Sequence, residues 1–307
     1  ACFILVFSVY GRTLKGDFVF DDRGILENQD LLSGINHTPL VLAVPFWDAP
    51  NGLYRPITLL SYNFNFFFGE APFGFHLLNL LLYALSGWLL ARVIEKFFQN
   101  KLLAYLAAVL FLVLPIHSEA VANITGRSEI LALGFSLLMF WELGQEKISQ
   151  WRSAGWFLLA MGSKETAIAT LPVALFFIYL REKQIFSKGL WQKYLLVFVS
   201  WFGALIFYFE ARYIILGKQY FFQAGFNPIQ NPLKIASGLE RVSTSFKVLL
   251  LYLQKTFWPT NLCPDYSFNQ IPILPNMKNW ESLAGLAIFV LLAAGIFIFL
   301  KRQPILS

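Results

Sequence analysis

The chain has 307 residues, of which 57% are hydrophobic and only 14% are charged. Soluble domains carry about 25% charged residues, so this composition excludes an ordinary soluble protein and predicts an all-α polytopic membrane protein. The formal net charge of +6 fits basic cytoplasmic loops, and no basic run with interleaved aromatic residues indicates a nucleic-acid surface.

The two ends and the cysteines give two further expectations. The opening apolar run, Ala1 to Tyr10, has no initiator Met and no basic segment before it. The chain stops just after Lys301-Arg302-Gln303, so we expect further sequence on both sides. Cys2 and Cys263 are too few for a disulfide framework.

Apolar stretches long enough to cross a ~30 Å hydrocarbon core need about 20 residues. The clear candidates are His76 to Ile94, Leu102 to Ile116, Ile130 to Leu143, Tyr194 to Leu216 and Leu283 to Leu300. A further apolar region, 156–180, is interrupted at Gly162-Ser163-Lys164-Glu165. Because irregular backbone at membrane depth is tolerated where it lines a cavity, the break and the short spans predict a cavity.

Basic residues in short loops predict the orientation, because such loops stay in the cytoplasm. The basic loops are 92–101, 147–152, 181–193 and the end at 301–302. Placing them inside brings three polar clusters to the outer face: Asp21-Asp22, Pro115 to Glu129, and Lys164-Glu165. The segment Lys218 to Trp280 is punctuated by lysine and arginine, which predicts an amphipathic helix in the outer interface.

Asp21 and Asp22 follow the apolar tripeptide Phe18-Val19-Phe20. Charge beside hydrocarbon is costly, so an acidic pair here indicates a site, although a solvated acidic loop is the alternative. Arg55 stands before Pro56, which favours extended backbone, and its planar fork suits a phosphate. An interfacial arginine that contacts lipid headgroups is the alternative.

Three further positions carry ionisable groups. His76 opens a helix and shares a face with Asn79, where a local hydrogen bond is the simpler interpretation. The turn between two apolar spans contains His117, Glu119, Arg127 and Glu129, which is more than a plain connector needs. Lys164 either snorkels or pairs with an anion in a cavity, with Glu165 beside it. Since the three histidines have no helical pairing, we expect no zinc site.

Together these residues offer carboxylates for general-base work and three cations, Arg55, Arg127 and Lys164, for a strongly anionic group. In a membrane protein, that group is most simply a lipid phosphate. The combination predicts transfer of a group that the lipid phosphate carries. A transporter or flippase for a lipid-linked or anionic solute is the alternative, and a structural membrane subunit is a second one.

Six motifs occur in order: Phe-Val-Phe-Asp-Asp, Tyr-Arg-Pro-Ile-Thr, Phe-His-Leu-Leu-Asn, Pro-Ile-His-Ser-Glu-Ala-Val, Gly-Arg-Ser-Glu and Ser-Lys-Glu. They resemble the membrane domain of the transmembrane and tetratricopeptide-repeat O-mannosyltransferases, from Phe18 to Leu180. The likeness resumes weakly at Asn227-Pro228 and at 262–267. The chain contains no tetratricopeptide array, so the resemblance leaves acceptor recognition unassigned.

The resemblance implies that residues 1–307 form a GT-C membrane domain with about eight or nine membrane helices. It implies a polyprenyl-phosphate-linked hexose as donor, a protein or other hydroxyl acceptor, no cofactor, no divalent metal and an active site on the outer or luminal face. Asp21 and Asp22 then correspond to the catalytic acids. The residues expected near the donor phosphate are Arg55, Arg127 and Lys164. The residues expected to support them are His76, His117, Glu119, Glu129 and Glu165.

Overall fold

The computed structural model describes residues 1–47, 52–182, 188–222, 231–260, 266 and 269–302. Within these ranges the chain is helical and contains no β-strand. The α-helices are α1 (Cys2–Tyr10), α2 (Arg23–Glu27), α3 (Gln29–Leu32), α4 (Thr38–Val41), α5 (Pro56–Phe66), α6 (Pro72–Phe98), α7 (Lys101–Val113), α8 (Ser118–Ala122), α9 (Arg127–Leu143), α10 (Gln150–Ser163), α11 (Thr170–Glu182), α12 (Lys188–Phe222), α13 (Gly238–Phe257) and α14 (Trp280–Arg302). Short 3₁₀ turns lie at Gly11–Lys15, Phe20–Asp22, Ile35–His37, Pro115–His117, Glu165–Ala169 and Pro232–Lys234.

Three described helices are long and apolar enough to cross a membrane: α6, α12 and α14. A fourth crossing is possible if α7 and the segment 115–122, which meet at a bend of 54°, count as one broken span. The helices α9, α10 and α11, with 17, 14 and 13 residues, fall below that length. The apolar helices make the chain a membrane protein, and the larger number of crossings stays a prediction.

The predicted break in the region 156–180 is confirmed. Helix α10 ends at Ser163, and Lys164 has extended backbone angles, φ −155° and ψ 132°. A 3₁₀ turn from Glu165 to Ala169 follows before α11 begins. Lys164 therefore lies in non-helical backbone, where its side chain can leave the direction of both helices. The predicted basic loop 181–193 is shorter than expected, because α11 extends to Glu182 and α12 begins at Lys188; residues 183–187 lie outside the described part.

Local sequence explains where the helices near the cavity begin. Pro56 and Pro72 occupy the first turns of α5 and α6, where a missing N–H costs nothing. Gln99, which follows the last residue of α6, has left-handed backbone, and the Asn100 side chain caps α7 by accepting a hydrogen bond from the Leu103 N–H. This sharp turn folds α7 back against α6. The largest cluster of buried apolar side chains lies among α6, α9, α10, α11 and α12.

The chain divides into two compact units, 1–224 and 225–307. In the second unit, Ser237 and Glu240 form a capping box that starts α13. This helix packs on α14 through a hydrogen bond from Ser282 Oγ to the Ser243 carbonyl oxygen (2.8 Å) and a Lys247–Glu281 ion pair (3.1 Å). A helix therefore lies where the sequence predicts an amphipathic one. The weaker family matches at 227–228 and at 262–265 and 267, and Cys263, lie outside the described residues.

The contact between α6 and α7 generates a stability prediction. A Cβ atom at Gly87 in α6 would come within 2.5 to 2.8 Å of three side-chain carbons of Leu112, which is buried in α7. Gly87→Ala should lower the free energy of unfolding by about 1–3 kcal/mol, because the two helices must separate. Gly155→Ala is the matched control, since no atom lies within 4 Å of its added Cβ and alanine favours the helix. Thermal unfolding in detergent measures both; equal behaviour of the two variants would contradict the close packing.

Candidate functional site

One cavity of about 590 Å³ lies within the first unit. Six residues singled out from the sequence line it: Asp21, Arg55, His117, Glu119, Glu129 and Lys164. The other four, Asp22, His76, Arg127 and Glu165, are not on its surface. The predicted convergence of separate polar clusters is therefore found, while the side of the membrane they face stays a prediction.

Each cluster reaches the cavity from a place where a helix begins, ends or is interrupted. Asp21 lies in a 3₁₀ turn, and Arg55 is the residue that precedes the first turn of α5. Glu129 is in the first turn of α9, and Lys164 occupies the break between α10 and α11. Residues at helix ends can project into a cavity without disrupting helix–helix packing.

The adjacent acids Asp21 and Asp22 have different surroundings. Asp22 is fully buried, and its Oδ1 accepts a hydrogen bond from the Thr125 N–H (2.8 Å). Its Oδ2 accepts from the N–H groups of Ile124 and Val19, both at 3.3 Å. Burial raises the pKa of Asp22, although the backbone hydrogen bonds act in the opposite direction. Asp22 thus fixes the turn before α9, whereas Asp21 is exposed and faces the cavity.

Arg55 is held by Glu165 in a two-point ion pair. Arg55 Nε donates to Glu165 Oε2 (3.0 Å), and Nη2 donates to Oε1 (2.7 Å). Burial raises the pKa of Glu165, but the hydrogen bonds and charge of Arg55 outweigh it and lower the pKa below its usual value. The paired geometry keeps Glu165 ionised and orients the guanidinium, whose carbon lies 5.1 Å from the centre of the Phe46 ring.

Lys164 pairs with Glu129, and both residues line the cavity. Glu165 follows this lysine in the sequence, but it pairs with Arg55, and the partner of Lys164 is Glu129. The two cations at the cavity therefore differ in their partners. Arg55 pairs with Glu165, which does not line the cavity. Lys164 is held by an acid that shares the surface and is itself half exposed. A ligand anion can compete with Glu129 for Lys164 far more readily than with Glu165 for Arg55.

Arg127 is completely buried rather than on the cavity surface. Its Nε donates to Asn79 Oδ1 (2.7 Å), and its Nη1 and Nη2 donate to the carbonyl oxygens of Ser61 (3.1 Å) and Phe75 (2.9 Å). The guanidinium also lies 4.9 Å from the centre of the Tyr62 ring. These contacts join α5, α6 and α9. The expected contact of Arg127 with a donor phosphate has no support in this geometry.

The two helix-start histidines also differ. His76 is buried, and neither ring nitrogen has a hydrogen-bond partner among the described residues, which leaves the predicted local hydrogen bond unmade. His117 lines the cavity, and its Nδ1 lies 2.9 Å from the Tyr83 hydroxyl and 2.8 Å from the Phe111 carbonyl oxygen. The carbonyl requires Nδ1 to carry a proton, so Nε2 is the acceptor nitrogen of the neutral ring.

Several cavity residues were not singled out from the sequence. They include Phe46, Trp47, Tyr83, Asn123 and Ser128. The aromatic pair Phe46-Trp47, in a segment without helical pattern, was a signal that could have been used. Large aromatic rings in a loop indicate that the loop packs against another surface. Among the residues that the structure describes, no group of three or more His, Cys, Asp or Glu side chains is placed to hold a metal ion.

The fold and the site define a class: a helical membrane protein in which carboxylates and two cations line one cavity. The chain is similar to protein O-mannosyl-transferases over nearly its whole length. It is 27% identical to one from Caenorhabditis elegans, over 94% of this chain and 41% of the relative. It is 30% identical to Tmtc2 of Drosophila melanogaster, over 96% and 33%, and 41% identical to TMTC1 of Mus musculus, over 43% and 15%.

The family resemblance predicted from the motifs is confirmed by these relatives: the chain is a homologue of the protein O-mannosyl-transferases. It spans about a third to two fifths of the length of the three curated relatives that it matches first. No family model matches the chain, and no solved structure matches it.

The different surroundings of the acidic pair predict different mutant phenotypes. Asp22→Ala leaves the N–H groups of Ile124 and Thr125 without their acceptor, so the free energy of unfolding should fall by about 1–3 kcal/mol. Asp21→Ala is the control and should leave stability within about 0.5 kcal/mol, because that side chain is exposed. Thermal unfolding of both variants tests this, and a larger loss for Asp21→Ala would reverse the assignment.

Proposed function

We propose that the protein transfers a hexose, mannose in the first instance, from a polyprenyl-phosphate carrier to a hydroxyl group of a protein acceptor. The reaction takes place on the outer or luminal face of the membrane, in a GT-C domain with eight or nine membrane helices. One observation carries the proposal. In a homologue of protein O-mannosyl-transferases, an exposed carboxylate and two cations from separate parts of the chain line one cavity.

Asp21 is the proposed general base. It is exposed and faces the cavity, so its carboxylate can accept the proton of the acceptor hydroxyl. The hydroxyl oxygen then bonds to the anomeric carbon while the bond from that carbon to the phosphate oxygen breaks. A single displacement of this kind inverts the anomeric centre.

Arg55 and Lys164 are the proposed phosphate ligands. The lipid phosphate leaves with the electron pair of the broken bond, and the two cations stabilise the charge that develops on it. No acid is required at the leaving oxygen, because a phosphate is already a good leaving group. Arg55 is preorganised by Glu165, while Lys164 exchanges Glu129 for the phosphate.

Arg127 and Asp22 have supporting parts in this proposal. Arg127 fixes α9 against α5 and α6, and Asp22 fixes the turn that precedes α9. Both residues thereby position Glu129 and the cavity wall rather than contacting the donor.

The proposal is tested by transfer of a labelled hexose from polyprenyl-phosphate mannose to an acceptor polypeptide, with the purified protein in lipid nanodiscs. Asp21→Asn keeps the shape of the side chain but removes the proton acceptor, so turnover should fall at least about 100-fold. Donor affinity should change little. Near-normal turnover of Asp21→Asn would rule out Asp21 as the base, and absence of any transfer or donor hydrolysis by the wild type would rule out the function.

The Lys164–Glu129 pair gives a second prediction, for binding. Glu129→Gln removes the competitor for the lysine, so affinity for polyprenyl phosphate should rise about two- to fivefold, whereas Lys164→Ala should lower it about tenfold or more. Glu119→Gln is the charge-matched control, because Glu119 lines the same cavity without pairing with either cation. If Glu119→Gln tightens binding as much as Glu129→Gln does, general repulsion accounts for the gain and the specific exchange is wrong.

A further inference from the structure

Trp47 combines two features that the proposed mechanism does not use. Its side chain lines the cavity, and its backbone has a φ of 59°. Few non-glycine residues in the described part of the chain have positive φ: Phe20, Trp47, Gln99 and Asn269. Left-handed backbone is costly for a bulky side chain, and such residues cluster at ligand sites. Phe20, a second example, directly precedes Asp21, which lines the cavity.

The indole of Trp47 is held in a fixed plane. It lies so close to Gly24 that a Cβ atom there would come within 3.1 Å of two of its ring carbons. It is parallel to the buried Tyr62 ring, with an interplanar angle of 2° and centroids 6.3 Å apart. The Phe46 N–H donates to the Leu53 carbonyl oxygen (2.9 Å), which ties down the segment that carries the indole. A ring supported in this way is a rigid surface for a ligand.

The indole is one ring removed from a proposed phosphate ligand. The guanidinium carbon of Arg55 lies 5.1 Å from the centre of the Phe46 ring, and the Phe46 and Trp47 ring centres are 4.3 Å apart. In a glycosyl phosphate the sugar is bonded directly to the phosphate oxygen. A hexose whose phosphate contacts Arg55 can therefore reach the Phe46–Trp47 pair.

We propose that Trp47 is the residue that recognises the sugar: the part of its half-buried indole that lines the cavity packs on the C–H face of the donor hexose. This inference rests on the proposed function. The C–H groups of a pyranose carry partial positive charge, and the face of an indole carries partial negative charge, so the two surfaces attract while they exclude water. The contact places the anomeric carbon beside Arg55 and selects lipid-linked hexoses over the bare lipid phosphate.

The test compares two ligands, polyprenyl phosphate and polyprenyl-phosphate mannose, by their dissociation constants for the protein in nanodiscs. In the wild type the mannosyl lipid should bind more tightly. Trp47→Leu should lower the ratio of the two affinities by about two- to tenfold and leave the affinity for polyprenyl phosphate unchanged. Trp47→Phe should show a smaller loss of the same kind, and decides the matter if the leucine variant does not fold. Phe111→Leu is the control, because it removes another ring from the cavity wall, beside His117.

Three results would overturn the inference while leaving the proposed function intact. In the first, Trp47→Leu weakens the binding of both lipids equally, as loss of a purely structural residue would. In the second, it weakens the binding of neither. In the third, the wild type binds both lipids equally well. Equal loss of preference in Phe111→Leu would also contradict a specific role for Trp47. A wild type that binds neither lipid would instead overturn the proposed function, and this inference with it.

Discussion

The cavity depends on the hydrogen bonds that the buried guanidinium of Arg127 makes. A cation without exposure to solvent is tolerated only when its donors are paired, and here an amide oxygen and two carbonyl oxygens pair them. Those acceptors belong to α5 and α6, while the arginine begins α9. Asn79, which accepts from Arg127, also donates to the carbonyl oxygens of Asn123 and Ile124. One charge thus fixes three helices and the turn between α8 and α9.

In two pairs of adjacent charged residues, one member holds another part of the protein and the other faces the cavity. Asp22 anchors a turn while Asp21 faces the cavity, and Glu165 orients Arg55 while Lys164 faces the cavity. The physical reason is that consecutive residues in 3₁₀ or extended backbone point in different directions. Asp22 and Glu165 turn toward the groups that they bind within the protein, and their neighbours Asp21 and Lys164 lie at the cavity surface.

The sequence predicted the parts of the fold that depend on composition. Helices α6, α12 and α14 were found because long apolar runs have few alternatives, and the break at Lys164 was found because a charge interrupts such a run. It also predicted which polar clusters converge. It could not show that Asp21 is exposed while Asp22 is buried, or that Arg127 is buried. Those differences depend on tertiary partners that lie up to about a hundred residues away in the chain. The aromatic pair Phe46-Trp47 could have been noticed in the sequence, but the positive φ of Trp47 could not, because composition does not reveal backbone angles.

The charges at the cavity surface set a condition on the chemistry. Asp21, Glu119 and Glu129 face the same space as Arg55 and Lys164, so the acidic side chains outnumber the lysine and arginine side chains. An anionic donor gains little from such a surface by long-range attraction, and its binding must come from exchange of contacts and from apolar or stacking surfaces. The exchange at Lys164 has an energetic consequence. Once a phosphate holds the lysine, Glu129 loses its partner and becomes a free carboxylate, so the donor gains only the difference between the two pairings of Lys164, and apolar or stacking contacts must supply the rest of its affinity.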